Sequence, residues 1–156
     1  MGRWSRQEIQ DAFDEFQRTA LVSAQTGDWT SWADCFTEDC FYKEHVYGEM
    51  AGRAAVLEWI TRVMTQEDPG RSMHAFPIEW SIIDEDRGWV VCQVWNRMDD
   101  IGDGKVHQEY NFTLLKYAGG GKFSYEEDIY NPMAFGKMIA GWERGKKKVA
   151  DRNADA

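Results

Sequence analysis

Apolar residues return at helical spacing along the first part of the chain, at Ile9, Phe13, Phe16, Ala20, Leu21 and Ala24, which predicts a helix over about Ser5 to Gln25 with one buried stripe. Ser5 and Glu8 stand three apart, the pattern of a reciprocal cap at a helix start. Gly27 ends this helix, and Asp28 is placed to cap a second, short one whose apolar face is Trp29, Trp32, Ala33 and Phe36. The stretch CFYKEHVYGE, Cys40 to Glu49, alternates like a strand, then Gly48 and Gly52 mark a connection. Val56, Trp59, Ile60, Val63 and Met64 predict a third amphipathic helix, which stops at Asp68-Pro69-Gly70. From Met73 the period changes to two. Four strands are predicted in MHAFPIEWSII, WVVCQVWNRM, VHQEYNFTLLKY and FSYEEDIYN, joined by turns at Asp84–Gly88, Asp99–Lys105 and Ala118–Lys122, so consecutive strands should be antiparallel. MAFGKMIAGWERG reads as a short terminal helix or an irregular arm. Residues 1–145 are expected to form one domain and 146–156 a polar, disordered tail.

The order helix, helix, strand, helix, then strands predicts an α+β fold: a cone-shaped, curved, mixed but mostly antiparallel sheet wrapped around three N-terminal helices. Long twisted strands curling around helices leave a cavity open at one end. The hydrophobic share, 43% with 14% aromatic residues, is enough for a single packed core. A formal charge of −9 disfavours nucleic acid and anionic membranes as partners. No apolar run reaches the roughly 18 residues of a membrane span, and MGRWSRQEIQ lacks the apolar core of a signal peptide, so the expected location is cytoplasmic. Cys35, Cys40 and Cys92 lack metal-ligand spacing and read as small core hydrophobes. There is no HExxH, GxGxxG or P-loop, and AGGGK lies between two strands as a hairpin turn, so neither a metal nor a nucleotide cofactor is expected.

Thr26-Gly27-Asp28-Trp29 after the first helix, WADCFTEDCFYKEHVYGEMAGRAAVLEWI and LLKYAGGGKFSYEEDIYNP, in this order, resemble the NTF2-like superfamily and its SnoaL-like branch of ketosteroid isomerase-like and polyketide cyclase-like proteins, over about residues 6 to 131. The resemblance implies the cystatin-like, NTF2-like α+β barrel and a homodimer. It says less about chemistry, because the superfamily hosts isomerases, cyclases, dehydratases, epoxide hydrolases and transport factors.

Overlaying the ketosteroid isomerase pattern on CFTEDCFYKEH sets Glu44 at the position of the proton-shuttling aspartate, Ala20 at that of the oxyanion tyrosine and Thr113 at that of the protonated aspartate. Both oxyanion donors are then missing, which argues against 3-oxosteroid isomerisation proper. Glu44 is expected to face the cavity, against the alternative of a glutamate at a frayed strand end, and His45 to face outward or line the rim. On the last strand Glu126, Asp128 and Tyr130 share one face, taken as the concave one, and Tyr125, Glu127 and Ile129 the other. Carboxyls crowded in a cavity raise at least one pKa, and a carboxyl titrating near neutrality can serve as acid or base.

The resemblance to SnoaL-like dehydratases implies a histidine–aspartate pair, sought in His74 or His45 with Asp128, although a histidine starting a strand is more often exposed. The Asp-Arg-Asp set of the epoxide hydrolases finds only Arg97 and Asp128 here. Tyr42, Trp59, Arg97, Asn111, Glu126 and Tyr130 are the candidate substrate contacts; for the tryptophans ordinary core packing is the alternative. The expectation is a protein that binds a small, largely apolar, cyclic molecule and performs cofactor-free acid–base chemistry of the isomerase, dehydratase or cyclase type. The alternative is a non-catalytic small-molecule-binding or accessory protein of the same fold.

Overall fold

The computed structural model describes residues 2–154. Helix α1 (Arg6–Thr26) starts where Ser5 Oγ accepts the Glu8 N–H at 3.2 Å. The returning half of the cap is replaced: Glu8 Oε1 accepts the Tyr117 hydroxyl at 2.9 Å, tying the helix start to the sheet. Gly27, at φ 77°, ends α1 and donates its N–H to Ser23 O, a left-handed conformation that glycine takes without a Cβ clash. Asp28 Oδ1 then accepts the Thr30 N–H at 2.9 Å and opens α2 (Thr30–Ala33). The predicted stripe of α1 divides in two. Ile9, Phe13 and Ala24 enter the core, while Phe16, Ala20 and Leu21 face a cavity.

Strand β1 (Phe36–Glu44) turns into β2 (Gly48–Ala51), a short hairpin partner in a segment that read as connection because four residues between two glycines are too few to display alternation. Helix α3 (Arg53–Thr65) follows. The strand predicted from Met73 onward is two, β3 (Met73–Ala75) and β4 (Ile78–Asp84), because Pro77 has no N–H for a ladder; its carbonyl still accepts from Trp95 N at 2.9 Å. Both pair with β5 (Trp89–Met98), which continues into β6 (Gln108–Gly119) and β7 (Lys122–Ile129). The sheet order is β2-β1-β7-β6-β5-β3, with β4 also on β5; β1 runs parallel to β7 and every other pairing is antiparallel. This is the expected α+β fold: a curved, unclosed sheet with α1, α2 and α3 in its main core through Ile9, Phe13, Trp32, Val56 and Ile60.

The chain end departs from expectation. Residues 132–154 form one helix, α4 (Pro132–Ala154), and the part expected to be a disordered tail is helical from 146 to 154; residues 155 and 156 lie outside the described ones. Asn131 Oδ1 caps α4 by accepting the Met133 N–H at 3.0 Å, and Pro132 sits in the first turn, where its missing N–H costs nothing. Trp142 is buried against Met73, Met98, Ile101 and Met138 and donates its indole N–H to Asp99 O at 2.9 Å. Gly145, a helix breaker by propensity, is a contact residue instead: a Cβ there would lie 2.6 Å from Ile101 Cδ1. Lys146 holds the next turn, 3.0 Å from Glu143 and 3.8 Å above the Trp142 ring. Replacing Trp142 by alanine removes a large buried side chain, at a cost on the order of 3–5 kcal/mol. Trp142→Ala is expected to accelerate amide exchange across 132–154 while β5, β6 and β7 stay protected; unaltered exchange in the helix would show that other contacts hold it.

Candidate functional site

The parallel pairing of β1 and β7 places Tyr42 opposite Glu126 and Glu44 opposite Asp128. Because strand side chains alternate, these four point inward together, and Lys43 and Glu127 point outward. Opposite Asp128 on the other side stands Thr113 of β6, with Asn111 two residues away on the same face and Asn96 contributed by β5. The inner face and the helices enclose a cavity of about 600 Å³. Its apolar wall comes from Phe16, Trp29, Trp32, Trp59, Phe76 and Phe135, and its polar end from the β-strand groups just named.

Asp128 is the centre of this polar end. Its Oδ1 accepts from Thr113 Oγ1 at 2.5 Å and Asn111 Nδ2 at 3.0 Å, and its Oδ2 accepts the Tyr42 hydroxyl in a very short contact. Asn111 is oriented in turn by Asn96 Nδ2, which donates to its Oδ1 at 2.6 Å. Burial in the aromatic shell pushes the Asp128 pKa up to about 6; the Thr113 and Tyr42 hydrogen bonds oppose the rise, and the charges of Glu44 and Glu127 add to it. Glu126, 4% exposed, is raised well above the ordinary carboxyl range, first by burial and then by the Asp128 charge. Its Oε1 lies 3.1 Å from the Tyr42 hydroxyl, and its Oε2 has no hydrogen-bond partner. Tyr42 is raised by the same burial and by both carboxylates.

Glu44 does face the cavity, yet its Oε2 is occupied by the backbone N–H groups of Val46 at 2.7 Å and Tyr47 at 2.5 Å. It fastens the β1–β2 turn. Burial first, and the hydrogen bond of its hydroxyl to Glu44 after it, raise the Tyr130 phenol pKa, and its ring packs at a tilt against Phe135, centroids 4.8 Å apart.

All six candidate substrate contacts, Tyr42, Trp59, Arg97, Asn111, Glu126 and Tyr130, lie on the cavity wall. The histidines do not. His45 follows Glu44 on the opposite face and bonds Glu127 Oε1 at 2.8 Å, and His74 points outward between the inward Met73 and Ala75 to meet Asp99 Oδ1 at 2.6 Å. No histidine–aspartate pair forms at Asp128. Arg97 donates to Gln108 Oε1 at 2.8 Å rather than to Asp128, so the Asp-Arg-Asp arrangement is not assembled either. At the two overlaid oxyanion positions, Ala20 is plain cavity wall and Thr113 spends its hydroxyl on Asp128. Asn96 and Thr113 were not among the candidate contacts read from the sequence; counting back across the Ala118–Lys122 turn sets Thr113 beside Asp128, but the kinked register near Tyr117 obscures the count. Among the described residues, no group of three or more His, Cys, Asp or Glu side chains is disposed to hold a metal ion.

The raised Asp128 pKa has a definite consequence for stability. Between about pH 4 and pH 6 the unfolded chain gives up this proton first, so the folded state binds more protons and loses stability as pH rises, by up to about 3 kcal/mol above pH 6. In urea titrations from pH 4 to 8, the difference in stability between wild type and Asp128→Asn should drift towards the variant with rising pH; a constant difference contradicts the assignment. Glu44→Ala leaves two amides of the turn without their acceptor and should cost about 1–3 kcal/mol at pH 7 in the same titration.

Solved structures with the same architecture share little sequence with this chain. An LEH-like epoxide hydrolase of M. tuberculosis is 14% identical with a TM-score of 0.64, over 94% of this chain and 93% of that one. The epoxide hydrolase/cyclase-like enzyme SalBIII of pyran ring formation in salinomycin is 15% identical with a TM-score of 0.64, over 83% and 95%. A protein of ketosteroid isomerase-like fold from Catenulispora acidiphila, complexed with trimethylamine, is 18% identical with a TM-score of 0.58, over 75% and 85%. At these identities the likeness establishes the fold alone. No curated protein matches the sequence. The sequence profile of the SnoaL-like domain does match, over residues 4–124, and with the fold and cavity above it the chain belongs to the SnoaL-like domain family.

Proposed function

We propose that the protein binds a small, largely apolar, cyclic molecule in its cavity and performs cofactor-free acid–base chemistry on it, of the isomerase, dehydratase or cyclase type, with Asp128 exchanging the proton. The observation that carries this reading is a single carboxyl, half-buried at the polar end of an aromatic cavity, whose pKa of about 6 lets it hold or release a proton near neutrality. A general acid or base works best when its pKa lies near the operating pH. Thr113, Asn111 and Tyr42 fix the carboxyl's orientation, and the apolar wall with Trp59 and Phe76 selects a hydrophobic ring. Glu44 acts on Asp128 through its charge and not as the base, because both turn amides already hold its outer oxygen.

In this reading the protein works in the cytoplasm as a homodimer. No described helix is long and apolar enough to cross a membrane. The dimer is supported by an aromatic run on the outer sheet face, where the half-buried Trp95 and the exposed Tyr110, Phe112 and Trp80 follow one another at ring separations of 5.5, 5.5 and 5.7 Å.

A thermal-shift panel of cyclic ketones, hydroxyketones and epoxides identifies ligands, and turnover of those that bind is then compared in wild type and Asp128→Asn. The variant should keep binding within about tenfold while turnover falls by roughly 10²–10⁴, the usual worth of a positioned acid or base. Turnover untouched by the substitution removes Asp128 from the chemistry; binding without turnover in the wild type assigns the alternative, a non-catalytic ligand-binding or accessory protein.

A further inference from the structure

Glu126 has no task in the site as described, and its surroundings make it the least comfortable side chain in the cavity wall. It is almost completely buried, one carboxyl oxygen lacks any partner, and the other faces the Tyr42 hydroxyl. The Tyr42 oxygen also touches Asp128 Oδ2, more closely than it touches Glu126. A phenol has one proton, so it can donate to only one of the two carboxyls.

Asp128, whose Oδ1 already accepts from Asn111 and Thr113, is the better-solvated carboxylate and takes that proton, so Tyr42 donates to Asp128. The phenol oxygen and Glu126 Oε1 would then face each other at 3.1 Å with lone pairs only, unless Glu126 itself supplies a proton on Oε1. An ionised Glu126 would also leave half its charge on Oε2 with no donor, whereas a neutral acid leaves there only a carbonyl oxygen. Proton counting and solvation give one answer: Glu126 is the protonated member, hydrogen-bonded to Tyr42, which is hydrogen-bonded to an ionisable Asp128.

We infer that Glu126 is a proton store for Asp128, connected to it through the Tyr42 hydroxyl. The inference rests on the reading of Asp128 as the proton-exchanging group. In the transfer the O–H bond at Glu126 Oε1 breaks and its proton joins Tyr42 Oη, while the proton already on Oη moves to Asp128 Oδ2. Tyr42 is neutral before and after, and one negative charge passes from Asp128 to Glu126. The charged Glu126 is the costlier state, so once the ligand or water has given Asp128 a proton again, that proton returns through Tyr42 to Glu126. Asp128 can therefore act as an acid, as well as a base, above its own titration midpoint.

The groups facing this pair are of one kind. Cys40 and Glu44 of β1, Cys92 of β5, Asn111 and Thr113 of β6, and Tyr130 of β7 are neutral or acidic, and Trp32 and Trp59 pack on the Tyr42 ring. The Arg97 guanidinium on the cavity wall is held by Gln108. Burial first, and the like charge of Asp128 after it, keep Glu126 protonated.

The test uses the ligand-free protein with ¹³C-labelled glutamate and aspartate carboxyls, titrated by NMR. One glutamate carboxyl should stay protonated at pH about 8, well above the ordinary range, and this signal should be missing in Glu126→Gln. The same signal should shift when Asp128 ionises in the wild type, and the part of that response carried by the hydroxyl should be lost in Tyr42→Phe, which keeps the ring and removes the hydroxyl. A merely structural Glu126 would feel only the Asp128 charge through space and respond equally in wild type and Tyr42→Phe. The inference is overturned if every glutamate is ionised at that pH, or if the Glu126 signal responds to the Asp128 titration equally in wild type and Tyr42→Phe. The wild-type titration requires no variant, so a poorly folding Glu126→Gln leaves the result readable. Failure here spares the role of Asp128, which turnover of Asp128→Asn decides separately.

Discussion

The parallel pairing of β1 with β7 is the constraint on which the site depends. It joins segments more than eighty residues apart, and it is pinned at its outer end by Phe36 against Phe123, both fully buried. Closing so long a loop is entropically unfavourable, and the aromatic cluster of Phe16, Trp32, Phe36 and Phe123 offsets it. Once this register is set, Tyr42, Glu44, Glu126 and Asp128 converge without further choice. A slip of one residue would bring Lys43 and Glu127 inside and turn the acids out to water.

The same pairing creates an electrostatic difficulty. Three carboxyls share one cavity, and the structure resolves each differently. Glu44 gains two backbone amides and takes the role of turn anchor. Asp128 gains three side-chain donors and remains titratable near neutrality. Glu126 is left without a donor once the phenol proton goes to Asp128, and burial first, then the Asp128 charge, pushes it to the neutral form. Identical chemistry therefore yields three behaviours, set by how deeply each group is buried and by the donors and charges it meets. This cluster costs folding free energy, which the packed aromatic core must cover, as strained or desolvated groups at binding sites commonly require.

Helix α4 adds a second, smaller core to the fold. Trp142 seats in a methionine-lined hollow formed by β3 and β5, and Phe135 reaches the cavity wall beside Tyr130. The cavity is thus finished by an element beyond the residues that match the family profile, which end at 124, as are Glu126, Asp128 and Tyr130 themselves. Two carboxyls of the polar end, Glu126 and Asp128, belong to the part of this chain beyond the profile, while Tyr42, Glu44, Asn96, Asn111 and Thr113 lie within it.

The sequence by itself determined α1, α2, β1, α3 and the succession of strands from Met73, because helical and strand periods, the capping serine and the glycine turns are local properties; β2 and the full length of α4 came only with the fold. It also determined which residues of the last strand share a face, Glu126, Asp128 and Tyr130, since alternation needs no partner. What it could not supply was hydrogen-bonding company. Glu44 and Asp128 look alike as acids on strands, and only the backbone of the β1–β2 turn and the β6 side chains Asn111 and Thr113 distinguish them. The histidines looked available, but alternation about Met73 and at the end of β1 turns His74 and His45 to Asp99 and Glu127. The segment from Met133 read as a short helix or an irregular arm, and the tertiary contact at Gly145 makes the missing side chain a condition of docking the full α4. Local pattern fixes the backbone's period; solvation of each buried charge is a property of neighbours distant in sequence, and only the folded chain assigns them.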